Sequence, residues 1–204
     1  MEHSMRLQSI AAMALVLGLA LATPGRSQTA RTETATFAAG CFWCVEEAFD
    51  KLAGVLSTTS GYTAGRTKNP TYEEVSGGGT GHTEAVQVTY DPATVNYETL
   101  LQTFWHNVDP VDAGGQFCDR GSQYRSGIYV HSEEQRRLAD ASKARVTAQL
   151  GKPVTAEIAS VGPFYAAEAY HQDYYKKNPV RYRFYKWNCG RVQRLEEVWG
   201  KSSG

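Results

Sequence analysis

Residues 34–52, TATFAAGCFWCVEEAFDKL, contain the pattern that is most informative about the fold. The small, β-prone residues Thr34 to Ala39 predict a short strand, and Gly40 interrupts it. From Cys44 to Leu52 the apolar residues recur on one side of a helical wheel, which predicts an amphipathic helix. Cys41 therefore falls at a strand-to-helix turn.

The rest of the chain mixes strands and helices. Apolar or alternating runs predict strands at Val55 to Thr63, Glu84 to Tyr90, Ser126 to Val130 and Thr155 to Val161. Helices are predicted after the cap Asn96, from the capping box Ser132 and Gln135 to about Leu150, and over Phe164 to Lys177. Irregular segments are predicted at Ala64 to His82, at Pro110 to Gln123 and from Asn178 onward. No regular βαβ rhythm is present, so the pattern favours an α+β sandwich over a doubly wound sheet.

The composition is that of one globular catalytic domain. The chain has 204 residues, 42% of them hydrophobic, which is enough for one buried core. Basic and acidic residues number 21 each, and no basic stripe is visible, so nucleic acid is not an expected partner.

The first residues have the pattern of an export signal. Arg6 precedes an almost unbroken apolar run from Ile10 to Ala22, which ends in a small-x-small cleavage signal. The run is shorter than the roughly 20 residues that span a bilayer, so no stable membrane span is expected in the mature protein. We expect residues 1–27 to be a signal peptide, cleaved between 22 and 30, and the mature protein to be periplasmic or secreted.

The four cysteines are Cys41, Cys44, Cys118 and Cys189. Only one CxxC pair is present, which argues against a structural zinc site. A thiol at a helix N-terminus faces unpaired N–H groups that stabilise a thiolate, so Cys41 is the candidate nucleophile. Any cysteine alternatively serves as a small buried hydrophobe, and we expect Cys118 to be a packed or free thiol.

The strand that begins at Glu84 offers an acid for such a thiol. Glu84 shares a face with Val86, Val88 and Tyr90, and that face is expected to be buried. Burial without a cationic partner raises the pKa of a carboxyl group and leaves it a proton to donate. Two alternatives stay open: Glu84 emerges into solvent, or His82 on the same face is the acid or base.

Four sequence blocks carry a resemblance. They are Gly40-Cys41-Phe42-Trp43, Gly81-His82-Thr83-Glu84, DRGSQYRS at residues 119–126, and Tyr170-His171-Gln172. In this order they resemble the peptide methionine sulfoxide reductase A family over about residues 36 to 200. The resemblance implies a single catalytic domain at residues 34–200: a two-layer sandwich with a ferredoxin-like core, long functional loops and an irregular C-terminal tail.

The resemblance also implies roles for particular residues. Cys41 attacks the sulfoxide sulfur, and Glu84 protonates the departing oxygen. Tyr72 and Tyr124 hold that oxygen through their hydroxyls, whereas Phe42 and Trp43 line a pocket for the methyl group. Asp119 corresponds to a position near the substrate, and His171 to a supporting one. The structural alternative is that these aromatic residues serve only in core or surface packing.

The resemblance implies the S epimer of methionine sulfoxide in oxidised proteins or peptides as substrate, and a sulfenic acid on Cys41 that a second thiol must resolve. Cys189, in the C-terminal segment, is the favoured resolving cysteine, and Cys44 is the alternative. No bound cofactor is expected. A thioredoxin-like dithiol protein is expected to reduce the disulfide, and the enzyme is expected to be a monomer.

Two other classes of function compete. Cys41 and Cys44, after a strand and opening a helix, have the layout of a thioredoxin-like thiol-disulfide oxidoreductase. Residues 76–81, SGGGTG, suggest a phosphate-binding module, but no Lys-Ser or Lys-Thr follows the glycines.

Overall fold

The computed structural model describes Met1 and residues 31–200. The expected signal peptide lies outside the described residues, apart from Met1. Among the helices of the described part, none has the length and hydrophobicity needed to cross a membrane.

Eight strands and seven α-helices form the described part. The strands are β1 (Glu33–Ala39), β2 (Val55–Thr63), β3 (Thr83–Tyr90), β4 (Gly115–Gln116), β5 (Asp119–Arg120), β6 (Ser126–Val130), β7 (Glu157–Ser160) and β8 (Tyr165–Ala166). The helices are α1 (Phe42–Asp50), α2 (Tyr72–Ser76), α3 (Tyr97–Trp105), α4 (Glu133–Leu150), α5 (Tyr174–Lys177), α6 (Pro179–Asn188) and α7 (Arg191–Trp199).

Six strands form one sheet in the order β7-β6-β1-β3-β2-β8. Its four central strands, β6-β1-β3-β2, are antiparallel to their neighbours within this group, whereas β7 pairs parallel with β6. Since β1 and β2 are joined through α1, and β3 and β6 through α3, the core has the βαββαβ order of a ferredoxin-like sandwich. The predicted α+β fold class is confirmed.

The main core lies between the sheet and its helices. Phe37 of β1 stacks on Phe49 of α1 at 4.9 Å between ring centroids and on Phe104 of α3 at 5.6 Å. All three rings are fully buried. This packing places the C-terminal end of β1, the start of α1 and strand β3 in one rigid unit.

The predicted helix caps are confirmed. The Asn96 side chain accepts a hydrogen bond from Thr99 N at 2.8 Å, and the Ser132 hydroxyl accepts one from Gln135 N at 3.1 Å. The return bond of the second cap differs from the predicted capping box, because the Gln135 side chain accepts from His131 N.

The predicted helix over Phe164 to Lys177 is wrong. The segment forms β8, a series of turns and the single-turn helix α5. The Ala167 N–H and the Gln172 side chain bind the Ser60 backbone on β2, and Asp173 has a positive φ of 53°. Tertiary hydrogen bonds therefore override the helical periodicity of this segment.

The predicted irregular C-terminal tail is also wrong. Pro179 begins α6, where its missing N–H has no helical partner to lose, and α7 follows after a turn at Gly190. Tyr182 of α6 and Arg191 of α7 are buried against the domain. The two predicted loops also contain short elements: α2 lies in the first, and β4 and β5 in the second.

Candidate active site

Cys41 is the residue that precedes α1, directly after β1. Gly40 turns the chain with φ +78°, and a Cβ there would lie 2.6 Å from Cβ of Gln116, so only glycine fits. The Cys41 carbonyl accepts the first helical hydrogen bonds, and the residue is only 6% exposed. The predicted strand-to-helix position of the thiol is confirmed.

Glu84 lies beside this thiol on the central strand β3 and is 2% exposed. The Phe42 N–H, at the start of α1, donates a hydrogen bond to its Oε2 at 3.0 Å. Burial raises the pKa of Glu84 from 4.5 to about 8, although the Phe42 N–H opposes this, and the nearby Asp119 carboxylate adds to it. At neutral pH the carboxyl group is mostly protonated. The predicted burial of Glu84 is confirmed, and the solvent-exposed alternative is wrong.

His82 is not part of the same cleft. Its ring is buried, and Nε2 lies 2.7 Å from the Thr67 carbonyl oxygen. A Cβ on Gly65 would overlap the ring at 2.2 Å, which shows how closely the preceding loop crosses it. His82 therefore anchors that loop rather than facing the thiol.

A cleft of about 220 Å³ opens over Cys41 and Glu84. Eight residues line it: Cys41, Phe42, Trp43, Tyr72, Glu84, Asp119, Tyr124 and Tyr185. All but Tyr185 are among the residues singled out in the sequence. The volume suits a single side chain.

The two neighbouring thiols differ in their ionisation. Burial, the adjacent Cys44 and the carboxyl groups of Glu84 and Asp119 raise the pKa of Cys41. In the ligand-free cleft the Phe42 N–H at the start of the helix donates its hydrogen bond to Glu84 rather than to Cys41. A Cys41 thiolate stabilised by the helix N-terminus stays a prediction. A hydrogen bond from Cys41 lowers the pKa of Cys44; burial opposes this shift, and the positive charge of Arg191 adds to it.

Two tyrosine hydroxyls in the cleft are available to a ligand. Within residues 31–200, neither the Tyr72 nor the Tyr124 hydroxyl has a hydrogen-bond partner. Burial and the neighbouring Glu84 raise the pKa of Tyr72 to about 12, and the pKa of Tyr124 is raised by the same causes. Both hydroxyls consequently remain protonated donors.

His171 supports the cleft wall from behind. Its Nδ1 accepts a hydrogen bond from Trp43 Nε1 at 3.0 Å, and its ring contacts those of Phe42 and Tyr72. An accepting Nδ1 means a neutral ring, in agreement with burial, which lowers the pKa of His171. His171 does not line the cleft itself.

Cys118 and Cys189 form a disulfide, so the expectation that Cys118 is a packed or free thiol is wrong. Cys41 and Cys44 are free, and Cys189 does not line the cleft. The ligand atoms of Cys118, Asp119 and Cys189 lie within 4.8 Å of one another. Because the two sulfurs are bonded to each other, no thiolate pair is available there to a metal ion.

Tyr185 is the cleft residue that the sequence interpretation missed. It lies on α6 and donates a hydrogen bond to Asp119 Oδ2 at 2.5 Å. The signal was present, since Tyr182, Tyr185 and Cys189 recur at helical spacing, but the segment was interpreted as irregular. The buried Arg191, whose guanidinium lies over the Phe117 ring at 4.3 Å, was missed for the same reason.

A buried thiol, a protonated carboxyl group and two unengaged hydroxyls around a small cleft define a thiol-dependent enzyme that acts on a small polar group. Comparison with known proteins identifies its class. The family model described as peptide methionine sulfoxide reductase matches residues 33–203. The chain is 51% identical over 175 residues to peptide methionine sulfoxide reductase MsrA of Bacillus pumilus (strain SAFR-032), covering 85% of this chain and 98% of that protein.

Solved structures agree with this class. Mxr1 from Saccharomyces cerevisiae in reduced form aligns with a TM-score of 0.70 and 31% identity, over 76% of this chain and 90% of Mxr1. Methionine sulfoxide reductase A of Corynebacterium diphtheriae aligns with a TM-score of 0.66 and 35% identity, over 76% of this chain and 77% of that one. The chain belongs to the peptide methionine sulfoxide reductase family and reduces methionine sulfoxide in peptides. This assignment excludes the phosphate-binding alternative and favours sulfoxide reduction over the thioredoxin-like one.

Proposed function

We propose that the cleft reduces the S epimer of methionine sulfoxide, with Cys41 as the nucleophile and Glu84 as the proton donor. The observation that carries this proposal is the juxtaposition of a thiol with a buried carboxyl group that keeps its proton at neutral pH. Oxygen is a poor leaving group from sulfur unless it is protonated, so the acid is needed where the oxygen lies.

The first step moves one oxygen atom. The Cys41 sulfur attacks the sulfoxide sulfur and forms a transient S–S bond while Glu84 protonates the oxygen. This S–S bond breaks as the oxygen passes to Cys41, so the methionine sulfur gains the two electrons that Cys41 loses. The S–O bond of the substrate breaks, and a new S–O bond forms on Cys41. The thiol proton of Cys41 returns to Glu84, so the products are methionine and a sulfenic acid on Cys41.

The cleft distinguishes the two substituents of the sulfoxide sulfur. Tyr72 and Tyr124 supply hydroxyl donors to the oxygen beside Glu84, and Phe42 and Trp43 form an apolar wall for the methyl group. Exchanging oxygen and methyl would place the oxygen against the aromatic wall without a partner, which is costly. Asp119, held by Tyr185, lines the same cleft near the substrate.

We further propose that Cys44 resolves the sulfenic acid and that Cys118 and Cys189 carry the oxidation onward. Cys44 is free and adjacent to Cys41, whereas Cys189, the favoured resolving cysteine of the sequence analysis, is bonded to Cys118. Condensation of Cys44 with the sulfenic acid forms a disulfide and releases water. Thiol-disulfide exchange with reduced Cys189 and Cys118 then restores both cleft thiols.

A thioredoxin-like protein is the proposed reductant. Cys118 is exposed, so the disulfide it forms with Cys189 is open to attack by an external dithiol, which is oxidised to a disulfide as this one is reduced. Support comes from yeast Mxr1, for which a structure in complex with Trx2 is known. The oxidised protein substrate and the reductant would meet the enzyme in turn.

Single-turnover assays with each sulfoxide epimer test these roles. Pre-reduced Cys41→Ser is expected to form no methionine. Cys44→Ser is expected to form one equivalent from the S epimer but to recycle slowly with a thioredoxin-like protein. Cys44→Ser that recycles at the wild-type rate would instead assign resolution to Cys189, and product from Cys41→Ser would refute the proposed nucleophile.

We also propose that the enzyme is exported and acts as a monomer. The signal-like residues 1–27 support export, and one chain supplies the whole cleft. Cell fractionation with and without residues 1–27 tests the location, and gel filtration tests the oligomeric state.

A further inference from the structure

The carboxylate of Glu168, which lies just after β8, joins two parts of the cleft wall. The Tyr62 hydroxyl donates a hydrogen bond to Oε2 at 2.8 Å, and the Tyr72 backbone N–H donates one to Oε1 at 2.8 Å. Tyr62 belongs to β2, whereas Tyr72 is the first residue of α2. One side chain thus ties a sheet strand to a separate short helix.

This tie holds the backbone at the start of α2, whereas the buried Val75 anchors the middle of the helix in the core. Helix α2 has five residues, far fewer than a helix needs to be stable alone. Its capping box between Thr71 and Glu74 closes the first turn but does not attach the helix to the domain. The end of the helix is held by Gln123, which binds the Ser76 carbonyl, and its beginning by Glu168.

Tyr62 connects the same carboxylate to Phe42, which forms the apolar wall of the cleft. Its ring is fully buried and lies 5.9 Å from that of Phe42. In the sheet, Tyr62 pairs directly with Glu84 on β3. Glu168 therefore binds both Tyr62, which supports Phe42 in the apolar wall, and the backbone of Tyr72, whose hydroxyl is free to bind a ligand.

We propose that Glu168 is a positioning residue for sulfoxide recognition. It sets the distance between the Tyr72 hydroxyl, which binds the sulfoxide oxygen, and Phe42, which contacts the methyl group of the substrate. This inference rests on the proposed function of the cleft. Burial disfavours the carboxylate, but hydrogen bonds from the Glu168 and Tyr72 N–H groups and from Tyr62 outweigh it and lower the pKa of Glu168. The tie consequently persists at neutral pH.

The backbone around Glu168 is anchored independently of its side chain. Ala167 N donates to the Ser60 carbonyl at 2.8 Å, and the Gln172 amide makes two further bonds with the Ser60 backbone, each 2.9 Å. Replacing the carboxylate by an amide is therefore expected to leave the segment folded. Glu168→Gln keeps the shape but has one acceptor oxygen for two donors.

A double-mutant cycle between Glu168→Gln and Tyr72→Phe tests the proposal. Loss of one positioned hydrogen bond is expected to lower kcat/KM for the S sulfoxide about tenfold in Glu168→Gln. If Glu168 acts through the Tyr72 hydroxyl, the double variant is expected to be no worse than Tyr72→Phe. Alkylation by iodoacetamide is followed at Cys41 by peptide mass spectrometry in a Cys44→Ser background, because Cys44 is also a free thiol. Its rate is expected to be the same with and without Glu168→Gln.

Glu73→Gln is the matched control. Glu73 is an exposed carboxylate on the same helix, and its side chain accepts no hydrogen bond within the described residues. This variant removes the same charge near Tyr72 and is expected to keep kcat/KM within about twofold of wild type.

The outcomes separate the inference from the function on which it rests. Wild-type kcat/KM in Glu168→Gln, or losses that multiply in the double variant, would overturn the role of Glu168 while wild-type turnover and its dependence on Cys41 stand. Sulfoxide reduction by Cys41→Ser would overturn the proposed function itself.

Discussion

Replacing the buried acid Glu84 with glutamine is expected to make the protein more stable and less active. The folded pKa is about 8, above the ordinary value of 4.5. Between these values the folded carboxyl group holds a proton that the unfolded chain has released, so stability falls as the pH rises from about 4.5 to 8. Relative to its value below pH 4.5, the free energy of unfolding is lower by roughly 3 kcal/mol at pH 7 and by roughly 5 kcal/mol above pH 8.

Glutamine removes this penalty while keeping the shape and an oxygen for the Phe42 N–H. The stability difference between Glu84→Gln and wild type is therefore expected to be near zero at pH 4.5 and to grow to several kcal/mol at pH 9. The free energy of unfolding, measured in urea at several pH values with the disulfide intact, gives this difference. Glu98→Gln, which changes an exposed carboxylate, is expected to show a much flatter profile.

Activity is expected to change in the opposite direction. Without the acid, kcat/KM for the sulfoxide falls by about 10²-fold or more. In the wild type, kcat/KM is expected to decline as the pH rises through about 8 and Glu84 loses its proton. A stability difference that does not depend on pH, or a glutamine variant with wild-type turnover, would refute the assignment of Glu84 as a buried proton donor.

Three further predictions follow from the packing and hydrogen bonds. Phe37→Ala removes a ring stacked on two others in the core and is expected to lower the free energy of unfolding by about 3–5 kcal/mol, measured in urea. Tyr185→Phe removes the hydrogen bond that lowers the pKa of Asp119, so this pKa is expected to rise. The acid limb of the pH profile of kcat/KM is then expected to move to higher pH, with the far-UV spectrum unchanged. Asn96→Ala removes the α3 cap and is expected to cost about 1 kcal/mol of stability, with kcat unaltered.

The central elements of the fold were predictable because their signals are local. Strands β1, β2, β3 and β6 and the caps at Asn96 and Ser132 lie where apolar alternation and capping chemistry place them. The C-terminal part of the fold was not predictable, because its conformation depends on hydrogen bonds to residues in distant parts of the chain. Hydrogen bonds to the Ser60 backbone on β2 hold residues 167–172 in turns, and the guanidinium of the buried Arg191 donates a hydrogen bond to the Asn107 carbonyl.

For the active site, the sequence by itself determined the thiol at a strand-to-helix turn, the acid on a buried strand and the family to which both belong. Only the tertiary structure decided that Cys118 pairs with Cys189, that Tyr185 closes the cleft and that the Phe42 N–H binds Glu84 rather than Cys41. The reason is physical: periodicity records which face of an element is buried, whereas pairing and ionisation depend on groups that folding brings together from distant parts of the chain.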